Sequence, residues 1–180
     1  MTDVRPEEAS SGPAAAGAAR DADVSDPGDH VTASSAAVGA TFRVMDVEDV
    51  SLQLPAQYPS VTLVETEPPM RALVFPVGLA EGTAMAQALR RLDSRRPMTH
   101  ELFMQVLQRA RIEVIAVRLV GRDEGNYLAE LDLMTPGGRE LVDCRPSDGI
   151  VLALRMPVPA PVLVDERLLE EPGDVPPATD

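Results

Sequence analysis

Leucine, isoleucine and phenylalanine are absent from the first 40 residues of this 180-residue chain. A stretch made largely of Ala, Ser, Gly, Pro and Asp cannot bury enough apolar surface to offset the entropy of ordering it. Residues 1–40 are therefore expected to be a disordered acidic tail, and residues 171–180, EPGDVPPATD, read the same way. Whatever folds must fold within 41–170, an ordinary length for one domain.

Charge follows this division. The net of −13 is carried mostly at the ends: residues 1–40 hold seven acids and two arginines, and 165–180 hold six acids and one arginine. Residues 41–164 keep 16 acids against 13 arginines. Every basic residue is Arg, so lysine-dependent P-loop or Schiff-base chemistry is excluded for these 180 residues. A single cysteine excludes an internal disulfide framework and any CxxC metal or redox site. No apolar run approaches the ~18–20 residues of a membrane span. The start of the chain has neither the basic nor the hydrophobic region of an export signal, so a cytoplasmic, membrane-free setting is expected.

Between residues 41 and 170 the hydrophobic period alternates between two and 3.6. The pattern predicts strands at Phe42–Val50, Val61–Glu65, Arg71–Val77, Ile112–Val120, Tyr127–Met134, Arg139–Asp143 and Val162–Val164. It predicts helices at Leu79–Leu92, from a Thr99 cap onward, and from a Ser147 cap to about Arg155, then a terminal helical turn. In the second helix Leu102, Phe103, Val106, Leu107 and Ala110 are expected to form the buried face. Runs of adjacent strands with helices between them point to an α+β domain with a mixed or antiparallel sheet and two to three helices.

Three polar clusters stand at predicted helix starts: 76–82 with Glu81, 95–101 with Arg95, Arg96, Thr99, His100 and Glu101, and 143–148 with Asp143, Cys144, Arg145, Ser147 and Asp148. Capping and the helix dipole account for Thr99, Glu101, Ser147 and Asp148 with no site at all. If the fold gathers the clusters, they supply carboxylates, guanidinium groups and an imidazole around an anion-accepting pocket. Cys144 reads as a small buried hydrophobe.

The segments Arg96-Pro97-Met98-Thr99-His100-Glu101-Leu102 and Asp143-Cys144-Arg145-Pro146-Ser147-Asp148-Gly149-Ile150 resemble the signature motifs of the bifunctional nuclease domain family. Phe75-Pro76-Val77-Gly78 with Glu81, Gly125–Leu131, and Val162-Leu163-Val164 followed by Leu168 extend the resemblance over about 42–170. Glu81-Gly82 and Asp148-Gly149 stand where the family usually has Glu-Ala and Asp-Ala, and Met98 and Glu101 replace its usual Leu and Asp.

The resemblance implies a compact α+β domain, self-association as a homodimer or higher homo-oligomer, and cleavage of DNA and RNA. Under it, His100, Asp143, Asp148 and Glu81 are the candidate catalytic residues, and Arg145, Ser147, Thr99 and Arg96 the candidate phosphate-binding residues. Asp143, Asp148 and Glu81 are hard oxygen donors suited to a divalent Mg or Mn ion. Against a nuclease stand the acidic balance and the scarcity of aromatic residues, which keep open a non-enzymatic regulatory or anion-binding module.

Overall fold

The computed structural model describes residues 39–170. The tails expected at 1–40 and 171–180 lie outside the described residues, except for Gly39 and Ala40. Seven strands form one sheet: β1 Phe42–Ser51, β2 Ser60–Glu65, β3 Ala72–Pro76, β4 Glu113–Asp123, β5 Asn126–Thr135, β6 Gly138–Cys144 and β7 Val162–Asp165. Four helices accompany it: α1 Leu79–Leu89, α2 Thr99–Arg109, α3 Pro146–Arg155 and the one-turn α4 Arg167–Glu170. The fold is α+β as expected; the terminal helical turn makes a fourth helix.

The strand order is β3-β2-β1-β7-β4-β5-β6, antiparallel throughout except where β7 lies parallel to β4. Register aligns Met45, Val162, Val117, Leu131 and Val142 in one row across the sheet. Because directly paired residues share a face, this row lies on the side where α3 packs, with Val117 against Gly149. Val117, Val164 and Leu119 are fully buried on that face, as are Ile150 and Ala153 of α3. Burying each such aliphatic side chain contributes about 1.5–3 kcal/mol. The adjacent row, Val44, Leu163, Arg118, Glu130 and Asp143, lies on the opposite face.

Two helices differ from expectation. α1 ends at Leu89, before Leu92, because Arg91 turns left-handed at φ 54° and the Leu92 N–H reaches back to the Gln87 carbonyl. In α2 only Met104 and Leu107 are buried; Leu102, Phe103 and Val106 are 54%, 46% and 50% exposed. The helix rests on α3 through a narrow stripe, so its apolar residues outnumber the positions that the contact can cover.

Candidate active site

Three chain turns build the site, and each is explained locally. At the start of α1, Gly78 is the N-cap, and Glu81 folds back over it: a Cβ there would stand 2.2 Å from Glu81 Oε2. A larger residue at 78 would make the Glu81 carboxylate swing to a new position. At the start of α3, Arg145 is the N-cap and Pro146 occupies the first turn, where a missing N–H costs nothing. Asp148 follows in the same turn, where the helix dipole favours a negative charge.

At the start of α2 the N-cap is Met98, so Thr99 is the first helical residue and not the cap. Glu101 secures this turn by accepting hydrogen bonds from the Met98 and Ser94 N–H groups, and it pairs with Arg155 of α3 at 3.1 Å. The Met98 hydrogen bond, helped by the Ser94 bond and the Arg155 charge, outweighs the cost of burial and holds its carboxyl below the usual carboxylate range. Glu101 thus serves the frame that presents His100. Ser147 is likewise inside α3, buried, rather than capping it.

The fold brings four of the candidates together. Arg145 clamps Asp148 through Nε to Oδ2 at 2.8 Å and through a second nitrogen to Oδ1 at 3.1 Å. Its third nitrogen donates to Glu81 Oε1 at 2.9 Å. His100 Nε2 stands 3.1 Å from Asp148 Oδ1. Partial burial alone would raise the Asp148 pKa, but the hydrogen bonds from Arg145 and His100 outweigh it and hold the carboxylate below its ordinary range. The same pairing, Asp148 first and Glu81 second, raises the Arg145 pKa. Arg145 remains 65% exposed, and three of the five N–H donors of a guanidinium are used here.

A cavity of about 630 Å³ opens beside the cluster. Glu81, Arg145, Pro146 and Ser147 form one side of it, and Tyr58, Phe75, Arg122 and Tyr127 belong to the rest of its lining. Tyr58, Arg122 and the tilted contact of Phe75 with Tyr127, with ring centroids 5.1 Å apart, are site features that the sequence reading did not single out. Two tyrosines in a chain with no Trp were the available signal.

The remaining candidates lie elsewhere. Asp143 pairs in register with Glu130, on the sheet face opposite α3, because its neighbour Cys144 points its sulfur toward Gly149. Among the described residues Asp143 has no hydrogen bond or ion pair to His100, Asp148, Arg145 or Glu81. Arg96 and Thr99 are exposed, and neither is hydrogen-bonded to the cluster. Burial, reinforced by the Asp148 charge, pushes the Cys144 thiol up to about 12, so it stays protonated.

Among the described residues no group of three or more His, Cys, Asp or Glu side chains could share a metal ion. Glu81 and Asp148 are the two carboxylates facing one point, now bridged by a guanidinium. Mg²⁺ accepts one or two carboxylates when substrate phosphate and water supply the other oxygens, so this pair fits such an ion and Asp143 does not join it. No helix among the described residues is long and apolar enough to cross a membrane.

The family model for the bifunctional nuclease domain matches residues 61–175. Two uncharacterised proteins of Mycobacterium tuberculosis, from strains CDC 1551/Oshkosh and H37Rv, are each 30% identical to this chain over 128 residues. The matched segment spans 71% of this chain and 74% of each relative.

Proposed function

The chain belongs to the bifunctional nuclease domain family, and from that premise we propose that it hydrolyses phosphodiester bonds in DNA and RNA with weak sequence preference. One observation carries the reading: the imidazole of His100, the carboxylate of Asp148 and the guanidinium of Arg145 form one hydrogen-bonded chain at the edge of a cavity. Hydrolysis forms a bond from a water oxygen to phosphorus and breaks one to a sugar oxygen. The water must lose a proton, and the leaving oxygen must gain one. With Asp148 accepting from Nε2, Nδ1 of a neutral His100 is the nitrogen that takes the proton from water and returns it to the leaving oxygen. Arg145, with two N–H groups left, binds the phosphate and offsets its developing charge. A Mg or Mn ion held by Glu81 and Asp148 would supply further charge neutralisation.

A second reading, a non-enzymatic anion-binding or regulatory module, is favoured by the pairing of Arg145 with both Asp148 and Glu81, which holds the cluster together without substrate. The family resemblance also supports a homodimer or higher homo-oligomer, and light scattering at micromolar concentration tests it.

The deciding experiment is a gel assay on single- and double-stranded DNA and RNA with Mg²⁺, Mn²⁺ or EDTA. It compares wild type, His100→Ala, Asp148→Asn and Asp143→Asn. Removing the proton-transfer group lowers turnover by about 10²–10⁴, and Asp148→Asn lowers it too. Cleavage that co-purifies equally with His100→Ala and Asp148→Asn belongs to a contaminant and leaves the binding module.

A further inference from the structure

We infer that the cavity beside Arg145 receives a single unpaired nucleobase, so the protein acts on single-stranded nucleic acid in preference to duplex. The inference rests on the nuclease reading for the identity of the phosphate at Arg145. Its own support comes from the cavity lining. Both tyrosines of the chain and one of its three phenylalanines gather there: Tyr58, Tyr127 and Phe75. Tyr58 is 59% exposed, an aromatic face available for stacking. The Arg122 guanidinium lies over the Tyr127 ring, 5.3 Å from its centroid.

Charge in the lining also departs from the chain as a whole. Among the described lining residues Arg122 and Arg145 face one carboxylate, Glu81, whereas the full chain carries −13. A protein with that net charge gains little from the long-range attraction that gives duplex binding most of its non-specific affinity. Duplex also presents the denser line of phosphates, so it meets the stronger repulsion. Affinity must then come from short-range contacts, and base stacking on aromatic rings is the main one open to this composition. Stacking needs a base out of its pair. A volume of about 630 Å³ is ligand-sized, suited to a splayed base with its sugar rather than to a double helix. A base resting on Tyr58 would leave its phosphate toward the Arg145 side of the same cavity.

The test is fluorescence anisotropy at one fixed ionic strength. It uses a labelled single strand and the duplex of the same sequence, with cleavage of each followed separately on gels. The expected result is single-strand binding about tenfold tighter than duplex. Tyr58→Ala should weaken single-strand binding by ~5–150-fold, the measured range for removing one stacked base contact. Tyr58→Phe, which keeps the ring, should bind as wild type does. Equal binding of the two forms, or no effect of Tyr58→Ala, overturns the inference even where cleavage occurs. Single-strand binding that depends on Tyr58 without any cleavage upholds it and removes the nuclease reading instead.

Discussion

Replacing Gly149 by alanine should destabilise the protein, although helix propensity alone argues the reverse. Gly149 lies in the first turn of α3, where alanine would gain up to ~1 kcal/mol of helix propensity. Its added Cβ, however, would stand 2.5 Å from Val117 Cγ2 and 3.0 Å from Cys144 Sγ. Comfortable carbon contacts begin near ~3.5 Å, so the overlap is about 1 Å. Val117 is fully buried and β-branched, with a single comfortable rotamer, so it cannot swing aside. Overpacking of this kind costs about 1–3 kcal/mol, which leaves a net loss of up to about 2 kcal/mol after the full propensity gain. For a domain near this size a loss of about 1–2 kcal/mol lowers Tm by roughly 3–8 °C. Urea unfolding of wild type, Gly149→Ala, Val117→Ala and the double variant measures it. The two changes should be less harmful together than the sum of each, with a coupling of about 0.5–2 kcal/mol. A Gly149→Ala protein more stable than wild type, or strictly additive variants, would refute the argument. Because Asp148 immediately precedes the crowded position, turnover should fall with stability.

Asp143→Asn should leave nucleic-acid cleavage within a few-fold of wild type, since Asp143 is hydrogen-bonded to none of His100, Asp148, Arg145 and Glu81; a loss matching Asp148→Asn would return Asp143 to the site. Glu65 is buried between Arg71 and Arg43, and hydrogen bonds led by that from Arg71 hold its pKa near 2 against a usual 4.5. A depressed carboxylate pKa stabilises the fold above 4.5, and this contribution drains away as pH falls from 4.5 toward 2. Thermal melts of wild type and Glu65→Gln should therefore converge over that interval, and a constant gap would contradict it. Cys144, with its thiol pushed from 9 up to about 12, should react with an aromatic disulfide reagent about 10³-fold more slowly in the native than in the denatured protein. If self-association uses the exposed side of α2, Phe103→Glu should lower the mass seen by light scattering.

Strand and helix positions were legible because hydrophobic period reports local geometry directly. Phe42–Val50 and Tyr127–Met134 each lie within one residue of the observed limits at either end. The helix starts are legible to within two residues, Leu79 from apolar spacing and Thr99 and Ser147 as caps that prove to be the first and second helical residues. Errors came where a residue's fate depends on what packs against it. Leu102, Phe103 and Val106 have the spacing of a buried face, but α2 packs mainly on α3, and among the described residues these three stay about half exposed. Gly82 and Gly149 read as weak helix starts. In the structure they are close approaches, since a Cβ at Gly82 would lie 2.8 Å from the Pro59 ring, just as one at Gly149 would meet Val117.

What the sequence alone determined is the inventory: an α+β domain within 41–170, no lysine chemistry, and polar clusters at three helix starts. These follow from composition and short-range period, which need no neighbour to be known. The tertiary structure decided which clusters meet. His100 and Asp148 are separated by 48 residues and Arg145 and Glu81 by 64, yet each pair is in hydrogen-bond contact. Asp143, two residues from Arg145, pairs with Glu130 across β5 and β6 and is not among the hydrogen-bonded groups of the cluster. Strand pairing and register set those outcomes, and they depend on distant segments that no local pattern encodes.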